Sequence, residues 1–149
     1  MGSVLVNDNN ITSDDEGIHV SDFYEFGYRM YGTSSFTMGN VEFCRNDINA
    51  SGYGMNFGDM PNYFGEQLDD NASVVMGGIL FNENRINSTD DGIYCEGYLG
   101  NFGYDMDGNA TFEMGNVEFN SNRIDSKGGD GMYWRRLRSL AIRCITMLR

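Results

Sequence analysis

Met114-Gly115-Asn116-Val117-Glu118-Phe119-Asn120-Ser121-Asn122-Arg123-Ile124-Asp125-Ser126 decides the fold, because the chain carries four versions of it. Met76 to Ser88 repeats it almost letter for letter, Met38 to Ile48 is a third version, and Met1 to Ile11 is a fourth. The starts at Met1, Met38, Met76 and Met114 are 37, 38 and 38 residues apart. A fixed period of this size marks stacked supersecondary units that bury their apolar faces on one another.

Aligned by this period, the chain resolves into columns. Val4, Val41, Ile79 and Val117 form one, and Val6, Phe43, Phe81 and Phe119 form another two residues on. That alternation puts both on one face of a strand. Asn9, Asn46, Asn84 and Asn122 follow, then Ile11, Ile48, Ile86 and Ile124. Gly17, Gly54, Gly92 and Gly131 each precede an apolar residue. A looser half aligns Phe26-Gly27-Tyr28, Phe64-Gly65-Glu66 and Phe102-Gly103-Tyr104. The segments His19–Glu25, Asn56–Tyr63 and Tyr94–Asn101 vary most and read as loops.

Short β segments between Asn/Gly turns, with the same residue recurring once per unit, predict an all-β parallel solenoid. Like residues then stack about 4.8 Å apart. The 20 glycines and single proline (Pro61) suit turns and strands better than long helices. No apolar run of the length needed for a membrane-spanning helix occurs. Residues 1–133 carry all 22 acids against five basic residues, so a polyanion such as nucleic acid is disfavoured. Cys44, Cys95 and Cys144 occupy unrelated repeat positions and show no zinc-type spacing.

The element Phe119-x-x-Asn122-x-Ile124-x-Ser126, with Gly131-Met132 after it, resembles the parallel β-helix repeat of the pectate-lyase-like superfamily. The likeness is to Asn-rich arrays of archaeal cell-surface proteins and of periplasmic copper-binding β-helix proteins. It implies a right-handed β-helix over residues 1–133, three short strands per turn and a cell-surface or extracellular location. Because the usual coil of that superfamily is shorter than this repeat, an excursion from the coil is expected around each Phe-Gly-Tyr segment. Two smaller coils per repeat is the competing register.

Residues 134–149 leave the pattern. Arg135 to Arg149 is a basic tail whose Leu137, Leu140, Ala141, Cys144, Ile145 and Leu148 fall on one helical stripe. The preferred reading is a shift of one base in the reading frame near Ser139. With suitable synonymous codons the other frame spells Phe-Gly-Tyr-Gln-Met-His-Asn-Asn-Ala-Thr, the continuation that Phe102 to Thr111 shows. Met1-Gly2 falls in mid-repeat, so a segment of a longer array, with neighbouring coils on either side, is expected.

The Asn column is read as a structural ladder, in which buried amides satisfy one another. Acidic turns offer Asp14, Asp15, Asp90, Asp91 and Asp130 as weak Ca²⁺ ligands. The second repeat has Ser51-Gly52-Tyr53-Gly54 there, with no acid, so solvated turns compete. No other cofactor is expected. Sequons place glycan acceptors at Asn10, Asn49, Asn71, Asn87 and Asn109. Aligned tyrosines, Tyr28 with Tyr104 and Tyr94 with Tyr133, are candidate platforms for sugar rings. No catalytic residue is assigned: His19 stands alone, Asp22 and Asp59 lack a basic partner, and Arg85 and Arg123 belong to the repeat. The function expected is a non-enzymatic structural or adhesin-like segment that contacts carbohydrate or cell-envelope components. The alternative is a fragment of a carbohydrate-active β-helix: a polysaccharide lyase, hydrolase or carbohydrate-binding module.

Overall fold

A computed structural model describes residues 1–99, 102–137 and 143–145. The first rung runs through β1 (Val4–Leu5), β2 (Asn10–Ser13) and β3 (Ile18–Tyr24). The second has β4 (Ser35–Met38), β5 (Val41–Glu42), β6 (Asp47–Ala50) and β7 (Met55–Asn62). The third has β8 (Ser73–Met76), β9 (Ile79–Leu80), β10 (Arg85–Ser88) and β11 (Ile93–Leu99). Then come β12 (Thr111–Met114), β13 (Val117–Asn120), β14 (Arg123–Ser126), β15 (Met132–Leu137) and β16 (Arg143–Ile145).

These strands assemble into four parallel sheets, ordered β1-β5-β9-β13-β16, β2-β6-β10-β14, β3-β7-β11-β15 and β4-β8-β12. The register follows the sequence columns: Ile11 pairs with Ile48, Ile48 with Ile86, and Ile86 with Ile124. The all-β parallel solenoid is therefore the fold, and its rungs repeat at the period of the sequence columns. Stacked Phe43, Phe81 and Phe119 form its spine, with centroids 5.2 and 4.6 Å apart and planes within 6°. Phe57 meets Phe43 and Phe81 edge-on, and Trp134 does the same to Phe119. Burial of such rings contributes most of the apolar driving force.

Three expectations are corrected. The variable segments are not loops but the longest strands, β3, β7 and β11, because parallel backbone pairing needs no particular side chains. Their uneven lengths are taken up as register shifts between Asp22 and Tyr24 and between Cys95 and Tyr98. The Phe-Gly segments are not an excursion: bridges join Met30 to Leu68 and Leu68 to Met106, closing a further wall. Each rung is thus one large coil with four strand positions and a bridge, rather than three strands or two small coils.

Half of the tail's helical stripe (Leu140, Ala141 and Leu148) lies outside the described residues. Its described parts are strands: repeat pairing continues to Leu99 opposite Leu137, and Phe119 pairs with Cys144.

Glycine is required where rungs approach closely. A Cβ on Gly54 would run into Ile86 Cγ2 and lie 2.5 Å from the Gly92 oxygen, and Gly17 and Gly92 are confined in the same way. At another corner Asp8, Arg45, Glu83 and Ser121 form a column of non-glycine residues with φ of 60°, 57°, 58° and 56°. This left-handed geometry turns the chain at a cost to each L-residue.

Candidate functional site

The Asn column is the most completely bonded polar feature. Asn46 donates from its backbone N–H and from Nδ2 to Asn84 Oδ1, each at 3.0 Å. Asn84 does the same to Asn122 Oδ1 at 2.9 and 3.0 Å, and Asn9 to Asn46 Oδ1 at 3.1 and 2.9 Å. The second Nδ2 hydrogen turns back: Asn46 reaches Val6 O, Asn84 reaches Phe43 O and Asn122 reaches Phe81 O. Asn46 and Asn84 are buried with Oδ1 and both Nδ2 hydrogens used within this network, which leaves the middle of the column no spare polar atom for a ligand.

The sequon asparagines lie outside. Asn10, Asn49, Asn71 and Asn109 are exposed and Asn87 is half-buried. They pair rung to rung: Asn87 Nδ2 donates to Asn49 Oδ1 at 2.8 Å, and Asn109 Nδ2 to Asn71 Oδ1 at 3.2 Å. Thr111 and Ser73 hydroxyls continue the second column at 3.1 Å.

The acidic turns do not converge. Asp14 and Asp15 belong to the first rung, Asp90 and Asp91 to the third and Asp130 to the fourth, with the acid-free turn of the second rung between. Asp91 Oδ1 accepts from the Asp130 N–H, and the Asp15 N–H donates to Ser13 Oγ. Among the described residues, no three His, Cys, Asp or Glu side chains are grouped to hold a metal ion.

His19 contacts Glu16 through Nδ1, and Glu16 also accepts from Asn56 Nδ2 at 2.6 Å. None of these three side chains carries a hydroxyl or a thiol. Asp22 lies opposite Asp59 in the β3–β7 register, as the column predicts. Arg85 faces Asp47 at 3.7 Å and pairs in register with Arg123. Cys44 and Cys95 are free and buried, and burial pushes the Cys95 thiol well above its usual range.

The tyrosines divide by geometry. Tyr53, Tyr94 and Tyr133 stack with centroids 4.7 and 5.3 Å apart. Their faces cover one another, so the inner ring presents edges rather than a platform. Desolvation first, then the surrounding carboxylates, raise the Tyr53 and Tyr94 hydroxyls. Tyr28 is covered by the Arg29 guanidinium at 4.8 Å. Tyr104, 61 % exposed, keeps more of its ring in water.

Column reasoning misses Glu66. It replaces tyrosine in the Tyr28–Tyr104 column, and the structure buries it with Oε2 lacking any hydrogen-bond partner. The signal is present in the sequence as a charged residue where both neighbouring rungs carry an aromatic.

No protein-family model matches the chain, and neither a curated protein nor a solved structure matches it. The parallel solenoid therefore stands on its own strand register, and the superfamily likeness read from the repeat stands on the repeat text.

Proposed function

We propose that the chain is a non-enzymatic structural or adhesin-like segment of a cell-surface parallel β-helix, related to the pectate-lyase-like arrays. One observation carries this reading: outward positions repeat and bond from rung to rung, as in the pairs Asn49–Asn87, Asn71–Asn109 and Ser73–Thr111. Repetition presents one chemistry many times, which suits multivalent contact and rigid spacing. Catalysis instead asks for one unique cluster of perturbed groups in a cleft. Exported from the cell, the five sequons would carry glycans, four of them on these same outer columns.

Glycan-array binding combined with turnover assays on acidic polysaccharides tests the reading. Retention of carbohydrate or envelope polymer without product is expected. Release of reducing ends or unsaturated products would replace it with the carbohydrate-active alternative.

A further inference from the structure

Glu66 lies in the Phe-Gly wall of the second coil, one rung above Tyr28 and one below Tyr104. It is 9 % exposed, and its Oε2 is buried without a hydrogen-bond partner. One oxygen of the carboxylate, Oε2, has given up water and gained no donor in return, a costly state for the charged form. The charged groups that face it offer little relief. Asp105 on the rung above and Glu25 on the rung below carry its own sign. Arg29, the opposing cation, is engaged elsewhere: Nε donates to Gln67 Oε1 at 2.9 Å and the guanidinium lies over Tyr28.

The wall that holds Glu66 is irregular. Where the other walls are strands, this one is joined by single bridges from Met30 to Leu68 and from Leu68 to Met106. Backbone bonds that include Gly65 N–H to Phe26 O at 2.9 Å, Arg29 N–H to Glu66 O at 3.0 Å, Gln67 N–H to Tyr104 O at 3.0 Å and Asp107 N–H to Leu68 O at 2.9 Å tie it to the rungs on either side. Beneath them lies the small satellite core of Leu68, Ala72 and Val74.

We propose that Glu66 is a proton-operated latch on this wall. With a proton on its carboxyl the side chain stays inside and the wall is closed; loss of that proton draws the carboxylate out to water and loosens the segment around Gly65–Leu68. Burial first, then Asp105 and Glu25, hold the carboxyl above the ordinary glutamate range, with Arg29 pulling the other way. The sign follows from linkage. A group that binds its proton more tightly when folded contributes stability fully below its unfolded value, and that contribution fades as pH rises through the folded value.

Carboxyl ¹³C NMR of the full chain, with Glu66→Gln to assign the resonance, gives the midpoint. Hydrogen exchange at the amides of Gly65, Arg29 and Gln67, corrected for intrinsic rate, gives the opening of the wall. We expect a Glu66 midpoint above that of a free glutamate, about 4.3. Between the free value and that midpoint, wall protection should fall by up to about tenfold per pH unit, the limit for one proton, and level off above it, while the β10 amides keep theirs. Glu66→Gln should flatten the wall profile, and Asp105→Asn should move midpoint and profile down together. A midpoint at or below the free value would overturn the latch. So would a wall profile unchanged in Glu66→Gln, or a midpoint that moves in Asp105→Asn without the wall following.

Discussion

Two parts of each rung are written differently and built alike. From Met38 to Ala50, and at the same positions in the later repeats, the Met-Gly, Phe, Asn and Ile positions recur unchanged; from Met55 to Leu68 the text drifts. Yet the drifting half holds β7, eight residues long, and its Phe57, Phe64 and Leu68 are as buried as Phe43 and Ile48 in the other half. What differs is the kind of contact. In the first half side chains bond or stack directly on their own copies, as Asn46 does on Asn84 and Phe43 on Phe81. In the second half the backbone bonds continue from rung to rung, while unlike side chains fill much of the space, with Phe64 against its copies Phe26 and Phe102 as the exception. Phe57 has Val20 and Cys95 as its register partners, and it packs edge-on against the phenylalanine spine. Identity is demanded where a residue needs its own copy as partner; elsewhere size and polarity suffice.

Substitution should separate these two kinds of contact. The largest effect is expected at Asn84→Ala. It orphans the Asn46 N–H and the Phe43 carbonyl in the interior and removes the bond to Asn122. At about 1–3 kcal/mol for each buried group left unpaired, the loss is about 3–6 kcal/mol in urea unfolding. Phe81→Ala and Phe64→Ala should each cost about 3–5 kcal/mol, since both rings are fully buried. Near-equal losses would confirm that loosely written and strictly written walls share one core; a small loss at Phe64 would separate them. Gly54→Ala follows at about 2 kcal/mol, from the forced approach of its Cβ to Ile86 and the Gly92 oxygen. Smallest, and of opposite sign, is Glu83→Gly. It relieves a left-handed corner, φ 58°, at the expense of glycine's extra chain entropy. The net gain is about 0.5 kcal/mol, read as a rise in the urea midpoint.

The same distinction explains what is legible in the sequence. The Val/Ile, Phe, Asn and Ile columns carry period, register and core because each residue stacks on a like one. Gly17, Gly54 and Gly92 are visible as a column, although the reason, an isoleucine methyl from the next rung, is not. The strands β3, β7 and β11 read as loops because backbone pairing leaves no side-chain signature, and their bulges break the count. The Phe-Gly wall reads as an excursion for the same reason, its bridges being one residue long. Of the candidate site residues, the sequon columns are legible as repeated pairs. The acidic turns are also legible, but not that the Asp130 N–H donates to Asp91 Oδ1 across adjacent rungs. Glu66 carries a signal that column averaging suppresses, an exception to its column rather than a member of it.

The central claim is that each whole repeat forms a single coil, closed through its Phe-Gly wall. Amide-to-Hα nuclear Overhauser contacts between rungs test it most directly. The account predicts contacts linking Met30 to Leu68 and Leu68 to Met106 alongside those linking Ile48 to Ile86. Strong contacts between Ile48 and Ile86, with none from Leu68 to either neighbour, would contradict it and restore a smaller coil with an excursion.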